Sequence, residues 1–481
     1  MAKEKFYITT TLPYVNAKPH IGFALEIVQA DVIARWQRSL GKEVFFNTGT
    51  DEHGMKIYQN AQAEGKDVQK YVDENAAKFD ELKQALNVSY NAFIRTTDEK
   101  HIKAARDFWQ RCDKNGDIYK KNYSVKYCVG CELEKTESEL VDGKCPLHPH
   151  LELELIEEEN YFFKFSNYQQ KLLDLYKNNP EFVEPSWRLK EITNFAQCGL
   201  ADFSISRLKT KMPWGINVPN DEDHVMYVWF DALINYISTL DWPDDEKNFQ
   251  SFWGEFNNPN AVQVAGKDNL RQQASMWQAM LMSANLPPSK QILIHGFINS
   301  GGQKMSKSLG NVVDPFELVE KYGTDALRYY LLAEITPFED GDFTIEKFEA
   351  RYNADLANGL GNLVSRVANM LEKDNIEIDL RVESESALKK AVNNEMENYH
   401  FNNALNILWD VLRKSDEELS ARKPWSMDDA QAKKKVLEQI ARNIFNVADI
   451  LRIFLPQTAK NIIKQFSVKQ IKKGDGLFPR I

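Results

Sequence analysis

Three groups of residues in this 481-residue sequence have the types and spacing to do chemistry. Cys128-Val-Gly-Cys131, thirteen residues, then Cys145-Pro-Leu-His148 has the spacing of a zinc ribbon. Each pair sits on a tight turn. Three thiolates and one imidazole close a tetrahedral shell with no open position, so the ion expected there is structural Zn2+. His150 is the competing fourth ligand, but His148 keeps the two-residue gap. Pro19-His20-Ile21-Gly22 falls where a strand turns into a helix. The free N–H groups and positive dipole end of a helix start attract phosphate. His20 can donate to a phosphoryl oxygen, and Gly22 lets a nucleotide approach the backbone. Lys304-Met305-Ser306-Lys307-Ser308, between Gly301-Gly302 and Gly310, sets two ammonium groups three residues apart. Such a pair stabilises the charge that builds on the β- and γ-phosphates when ATP is attacked at its α-phosphorus. Taken alone, the lysine stretch is the more specific signal, since a histidine beside a proline is often structural.

The elements that must position these groups read as follows. KFYITTTLPY is a run of β-branched and aromatic residues closed by Leu12-Pro13, a buried strand. GFALEIVQADVIARWQRSLG has apolar residues at helical spacing and stops at Gly41. EVFFNTGT is a second strand, and a second helix starts behind Asp51. Strand, loop, helix, strand, helix opens a parallel α/β sheet. From about Lys120 the pattern breaks into the cysteines, a basic stretch (KKNYSVKYC) and an acidic run (LELELIEEEN), which reads as an inserted domain. Sheet-like pattern returns at HVMYVWFDALINY, AVQVAGKD and QILIHGFINS, and from about Ala350 the period is helical.

Bulk properties agree with a soluble, multidomain chain. Hydrophobic residues make up 43% and charged residues 27%. No run of about 18 apolar residues occurs, which argues against a membrane span. The N-terminus lacks the apolar core of a signal peptide, so the expected location is the cytoplasm. A cysteine cluster in such a chain points to metal rather than disulfides, and Cys112 and Cys198 read as buried thiols. The net charge of −10 is uneven. Residues 351–481 hold 21 Lys+Arg against 18 Asp+Glu, whereas 1–350 hold 39 against 52. A basic C-terminal part suits contact with phosphates.

The His20 and lysine motifs, in this order, resemble the paired signatures of class I aminoacyl-tRNA synthetases. Leu12-Pro13-Tyr14-Val15-Asn16, Gly49-Thr50-Asp51-Glu52-His53-Gly54 and Trp229-Phe230-Asp231-Ala232-Leu233-Ile234-Asn235-Tyr236 resemble the methionyl branch. The resemblance runs from about Lys5 to Trp425. It implies an α/β protein with a split Rossmann-type nucleotide-binding fold, an inserted zinc-knuckle connective domain and a C-terminal α-helical anticodon-binding domain. The boundaries expected are 1–115 and 225–298 for the catalytic halves, 116–224 for the connective insertion, 299–350 for the lysine-loop region and 351–481 for the helical domain.

By the same resemblance, Asp51 binds the substrate ammonium. Leu12, Trp229, Ala232 and Tyr236 wrap the methionine thioether, and Tyr14 closes over it. Aromatic rings favour contact with that sulfur. ATP, entering with Mg2+, is expected on His20, Gly22, Gly266, Asp268, His295 and Lys307, with His20, Gly22, Lys304 and Lys307 carrying catalysis. Asn362, Arg366 and Trp425 are expected to read the anticodon of tRNA(Met), by stacking and by hydrogen bonds to base edges. The implied partners are L-methionine, ATP and that tRNA, with no membrane, and the chain is expected to be a monomer.

Two positions depart from the family pattern. Phe23 stands where the first motif normally ends in a second histidine, and Gln272-Gln273 stand where methionyl enzymes usually carry Phe-His. Activity is nevertheless expected, because every other phosphate contact is present. Two rival readings are a zinc-ribbon RNA-binding protein without catalysis and a nucleotidylyltransferase. Intact Lys304, Lys307, Asp51 and Asp268 argue against the first, and the helical Asn/Arg/Trp set argues against the second.

Overall fold

The computed structural model describes residues 3–131, 133–135, 139–305, 310–381 and 386–481. They form two compact units. The first comprises Met1–Pro19, Lys42–Glu81 and Tyr90–Ile294; the second comprises His20–Gly41, Leu82–Ser89 and His295–Ile481.

The first unit is built on a six-stranded sheet. Its strands are β1 (Lys5–Thr10), β2 (Glu43–Thr50), β3 (Ala92–Arg95), β4 (Val183–Glu184), β5 (Ala261–Gly266) and β6 (Gln291–His295), in the order β3-β2-β1-β5-β6-β4. β1 runs parallel to both β2 and β5. Tyr7 and Ile8 are fully buried on successive positions of β1, as a strand covered on both faces requires. Trp253, Trp277, Phe108 and Phe230 fill the core beside Tyr7 and Tyr236. Chain order reverses at β1, with β2 on one side and β5 on the other, so the switch point where such sheets bind ligands lies at the carboxyl ends of β1 and β5.

The basic and acidic stretches of the insertion turn out to be partners. Ile118–Cys128 pairs antiparallel with Glu154–Phe163 over ten residue pairs, from Ile118↔Phe163 to Tyr127↔Glu154. Opposite charges across a ladder support that pairing, and Lys120 Nζ lies 3.8 Å from the Glu159 carboxylate. HVMYVWFDALINY is only briefly a strand, His224–Met226, before the helix Val228–Ala232.

The second unit gathers α1 (Ile21–Ser39), a small three-stranded sheet (Ile298–Ser300, Gln303–Lys304, Gly341–Phe343) and helices that continue to Pro456–Phe466. A buried ion pair joins its segments. The Arg328 guanidinium is fully buried and meets Asp31 of α1 at 2.8 Å. It also donates to the Leu86 carbonyl at 3.0 Å and the Phe454 carbonyl at 2.8 Å. Asp31 in turn holds Arg35 at 2.7 Å and accepts from the Ser89 amide at 2.7 Å. Removing one partner of such a pair strands the other charge. Arg328→Ala is therefore expected to destabilise this unit by about 3–5 kcal/mol, read by chemical denaturation.

Candidate active site

At the sheet's switch point the expected substrate residues follow one another in space. Leu12 and Tyr14 leave the end of β1, Asp51 follows β2, and Gly266 ends β5. Tyr14 and Asp51 form a parallel bridge. The Val15 amide donates to the Asp51 carbonyl at 3.1 Å, and the Asp51 amide donates to the Pro13 carbonyl at 3.0 Å. Asp51 is thereby buried beside Tyr14. Tyr14 and Trp229 are half-buried and pack against Tyr127, Tyr227 and Val228. Ala232 is buried at the end of the Trp229 helix, Val228–Ala232, and Tyr236 on the next, Asn235–Ser238. Asp268 sits exposed in the turn Lys267–Asn269 after β5, its carboxylate accepting from Asn269 at 3.2 Å.

Sequence reasoning did not see what holds this wall in place. The fully buried Asp231, between Trp229 and Ala232, accepts from His53 Nδ1 at 2.6 Å and from His101 Nε2 at 2.7 Å. The two imidazoles keep its carboxyl below the ordinary aspartate range despite burial, which pushes the other way. His53 lies two residues beyond Asp51, so this pair ties the Asp51 loop to the Trp229 helix. The available signals were His53, inside the Gly49–Gly54 motif, and His101 in an otherwise ordinary helical segment.

In the second unit His20 is the N-cap of α1. Its Nδ1 accepts from the Gly22 amide at 3.0 Å. That bond fixes the neutral tautomer with the proton on Nε2, the form that donates to a phosphoryl oxygen. The ring edge is solvent-accessible, yet desolvation by the surrounding protein holds its pKa below 6.5. Gly22 has a second reason besides ligand approach: a Cβ there would lie 2.8 Å from His20 Cε1. Only glycine lets the ring fold back over the helix start.

Lys304 is exposed in a hairpin turned by Gly301 and Gly302, both at positive φ, and its Nζ stands 5.1 Å from the Phe297 ring. Lys307 lies outside the described residues. Its neighbours on either side reach α1: the Ile21 amide donates to the Val313 carbonyl at 3.0 Å, and a Cβ on Gly22 would lie 3.9 Å from Met305 Cε. His295 is buried, with Nδ1 on the Gly296 carbonyl at 2.7 Å and Nε2 on Glu26 of α1 at 2.9 Å. In the helical part, Arg366 lies 5.8 Å from the exposed Trp425 ring and pairs with Asp416 at 2.6 Å. Asn362 begins the helix that carries Arg366.

Cys128, Cys131, Cys145 and His148 bring one ligand atom each to within 4.8 Å of one another. Cys131 and Cys145 Sγ are 3.4 Å apart, and His148 Nδ1 is 3.2 Å from Cys131 Sγ and 3.8 Å from Cys128 Sγ. A tetrahedral ion with metal–sulfur bonds of about 2.3 Å spaces its ligands by about 3.5–3.8 Å, so the donor set fits a metal. His150 lies outside the group, its ring centroid 6.2 Å from that of His148. Cys112 is buried as expected, but Cys198 is exposed. It is the C-cap of the helix Ser186–Gln197.

Residues 6–154 and 150–368 match the family model of tRNA synthetases class I (M). The chain is 41% identical to the methionine–tRNA ligase of Brucella suis biovar 1, over 98% of this chain and 94% of that one. The chain belongs to the class I methionyl-tRNA synthetase family. Another member, the methionine–tRNA ligase of Thermotoga maritima, is 39% identical over 97% of this chain and 76% of its own length. A methionyl-tRNA synthetase structure from Mycobacterium tuberculosis, in complex with methionyl-adenylate, superposes with a TM-score of 0.92 at 36% identity, covering 99% of this chain and all of that one. Within this methionyl-tRNA synthetase family fold, no helix among the described residues is long and apolar enough to cross a membrane.

Proposed function

We propose that the chain is a methionine–tRNA ligase that makes methionyl-adenylate and transfers the methionyl group to tRNA(Met). The observation that supports it most is the seating of buried Asp51 against Tyr14, in one wall with Trp229. A buried carboxylate beside half-buried aromatic rings suits a substrate with an ammonium at one end and an apolar, polarizable chain at the other. Asp51 takes the ammonium; Leu12, Tyr14, Trp229, Ala232 and Tyr236 take the side chain.

In the first step a carboxylate oxygen of methionine attacks the α-phosphorus of ATP, the bond to the β-phosphate breaks, and pyrophosphate leaves. His20, through Nε2–H, and Lys304 and Lys307 stabilise the charge passing to the leaving group. Gly22 and Gly266 admit the nucleotide, Asp268 holds the ribose hydroxyls, and His295 adds a nucleotide contact. ATP enters as its magnesium complex. In the second step a ribose hydroxyl at the tRNA terminus attacks the carbonyl carbon and AMP leaves. Asn362, Arg366 and Trp425 read the anticodon. The segments serving these tasks are 1–115 and 225–298 for catalysis, 116–224 for the insertion, 299–350 for the lysine stretch and 351–481 for the tRNA. Cys128, Cys131, Cys145 and His148 would hold one structural zinc ion. The enzyme works as a cytoplasmic monomer.

The test is methionine-dependent ATP–pyrophosphate exchange, followed by charging of a tRNA with a CAU anticodon. Exchange with methionine and charging of that tRNA are expected. Absence of exchange with every amino acid would sink the reading, and exchange without charging would remove the anticodon assignments.

A further inference from the structure

The hairpin that carries Lys304 has an inner and an outer strand. The inner strand, Ile298–Ser300, is held on its far side by three parallel pairs with Gly341–Phe343. The outer strand, Gln303–Lys304, is exposed and joins the inner one by two antiparallel pairs, Asn299↔Lys304 and Ser300↔Gln303. So short a ladder is marginal by itself in water. Among the described residues, a Cβ on Gly301 or Gly302 would meet nothing within 4 Å, so packing does not fix the turn either.

Asp342 supplies a charged tie. It stands opposite Asn299 on the strand Gly341–Phe343, and its Oδ1 accepts from the Gly302 amide at 2.7 Å. Its Oδ2 meets Lys347 Nζ at 2.9 Å, in the first turn of the helix Ile345–Arg351. The Gly302 amide, then the Lys347 ammonium, hold the carboxyl below the ordinary aspartate range, so it is a charged acceptor at neutral pH. Two neutral and longer bonds accompany this one. The Gly301 amide donates to the Phe343 carbonyl at 3.2 Å, and Asn311 Nδ2 donates to the Lys304 carbonyl at 3.3 Å. The root of the hairpin is clamped in the same manner by Asp340, whose Oδ1 accepts from the Phe297 amide at 3.0 Å. Asp340 therefore holds the root, and Asp342 holds the turn two residues before Lys304.

We propose that Asp342 is a positioning residue for adenylate formation: through the Gly302 amide it holds the turn from which Lys304 reaches the leaving pyrophosphate. The inference rests on the role proposed for Lys304 in that step. Stabilising charge in a transition state depends on a donor already in place. A hairpin that samples other arrangements offers Lys304 for only part of the time, and the rate falls with that fraction. The residues proposed to bind methionine belong to the other compact unit, so methionine affinity does not depend on this tie. The pair with Lys347 is exposed and contributes little by itself.

The experiment compares Asp342→Ala, Asp342→Asn and Lys347→Met in methionine-dependent pyrophosphate exchange. Asp342→Ala is expected to lower kcat about tenfold, the effect of one lost hydrogen bond to a charged group, with the methionine KM unchanged. Asp342→Asn keeps a carbonyl oxygen for the Gly302 amide and is expected to recover most of that loss. Lys347→Met removes the ion pair alone and is expected to stay within about twofold of the parent. Tryptic cleavage after Lys304 reads the hairpin without catalysis: it is expected to be faster in Asp342→Ala and parent-like in Asp342→Asn. If Asp342→Ala fails to fold, Asp342→Thr, suited to a strand, removes the same carboxylate and is held to the same outcomes. The proposal is overturned if the carboxylate-free variant keeps the parent kcat, or if Asp342→Asn loses as much as it does. A raised methionine KM, or a Tm lowered in Asp342→Ala and Asp342→Asn alike, would mark a general packing defect and overturn it too. Lys304→Ala with the parent kcat is a separate outcome and would remove the underlying role of Lys304 instead.

Discussion

Stripping the metal proposed for the knuckle, or replacing Cys145 with serine, is expected to unfold the segment from Cys128 to His148 and to raise KM for methionine at least tenfold. The first effect follows from energy. A structural zinc ion contributes on the order of 10 kcal/mol to the fold of its ligand loop. Between Cys131 and Cys145 the described residues hold one strand, Leu133–Lys135, of three residues, too few to replace that. The second effect follows from what flanks the ligands. Tyr127 and Val129 stand on either side of Cys128, and both belong to the apolar cluster that holds Tyr14 and Trp229. Loss of the knuckle frees those two rings, while the core around Trp253 and Trp277, which belongs to another cluster, stays packed. Metal analysis of the purified chain, then exchange kinetics before and after chelation, reads both effects. A metal-free preparation with its methionine KM intact would defeat the prediction.

Asp51→Ala and His20→Ala are expected to cripple the enzyme in different ways. Asp51 is buried, and in the proposed site it offers a charge to the substrate ammonium; losing a buried ionic partner costs about 2–5 kcal/mol. Its loss is expected to cut kcat/KM for methionine by roughly 10²–10³-fold, chiefly through KM. In the proposed mechanism His20 acts on charge that exists only in the transition state. Its loss is expected to cut kcat by roughly 10²–10³-fold, with the methionine KM little changed. The Gly22 amide that His20 caps stays able to meet solvent, so α1 is expected to persist, and circular dichroism checks this. Identical kinetic defects in the two variants would contradict the division of labour.

Much of this was legible before any coordinates. The motifs marked the ends of β1, β2 and β5, because a parallel sheet buries its strands and leaves chemistry to the loops beyond them. The knuckle was legible because ligand spacing is a local property. What stayed hidden was non-local. Nothing in the sequence said that Lys120 would lie opposite Tyr161 with Glu159 in reach of its amine. Gly302 and Asp342 are 40 residues apart, and their hydrogen bond depends on how the lysine hairpin meets the strand Gly341–Phe343. Asp231 looked like one acidic residue in an aromatic stretch, yet it gathers two histidines from distant segments. The Cys198 expectation failed because a lone cysteine carries no positional signal.

Arg328 and Asp31 also bear on how the chain is born. On the ribosome, α1 emerges early, but the guanidinium that neutralises its buried carboxylate is roughly 300 residues away, on the order of tens of seconds of synthesis. Through that interval α1 must stay solvated or be shielded by a chaperone. For the same reason a fragment starting at His295 would carry Arg328 without its anion, and a recombinant C-terminal piece is better made with His20–Gly41 supplied alongside it than as a simple cut.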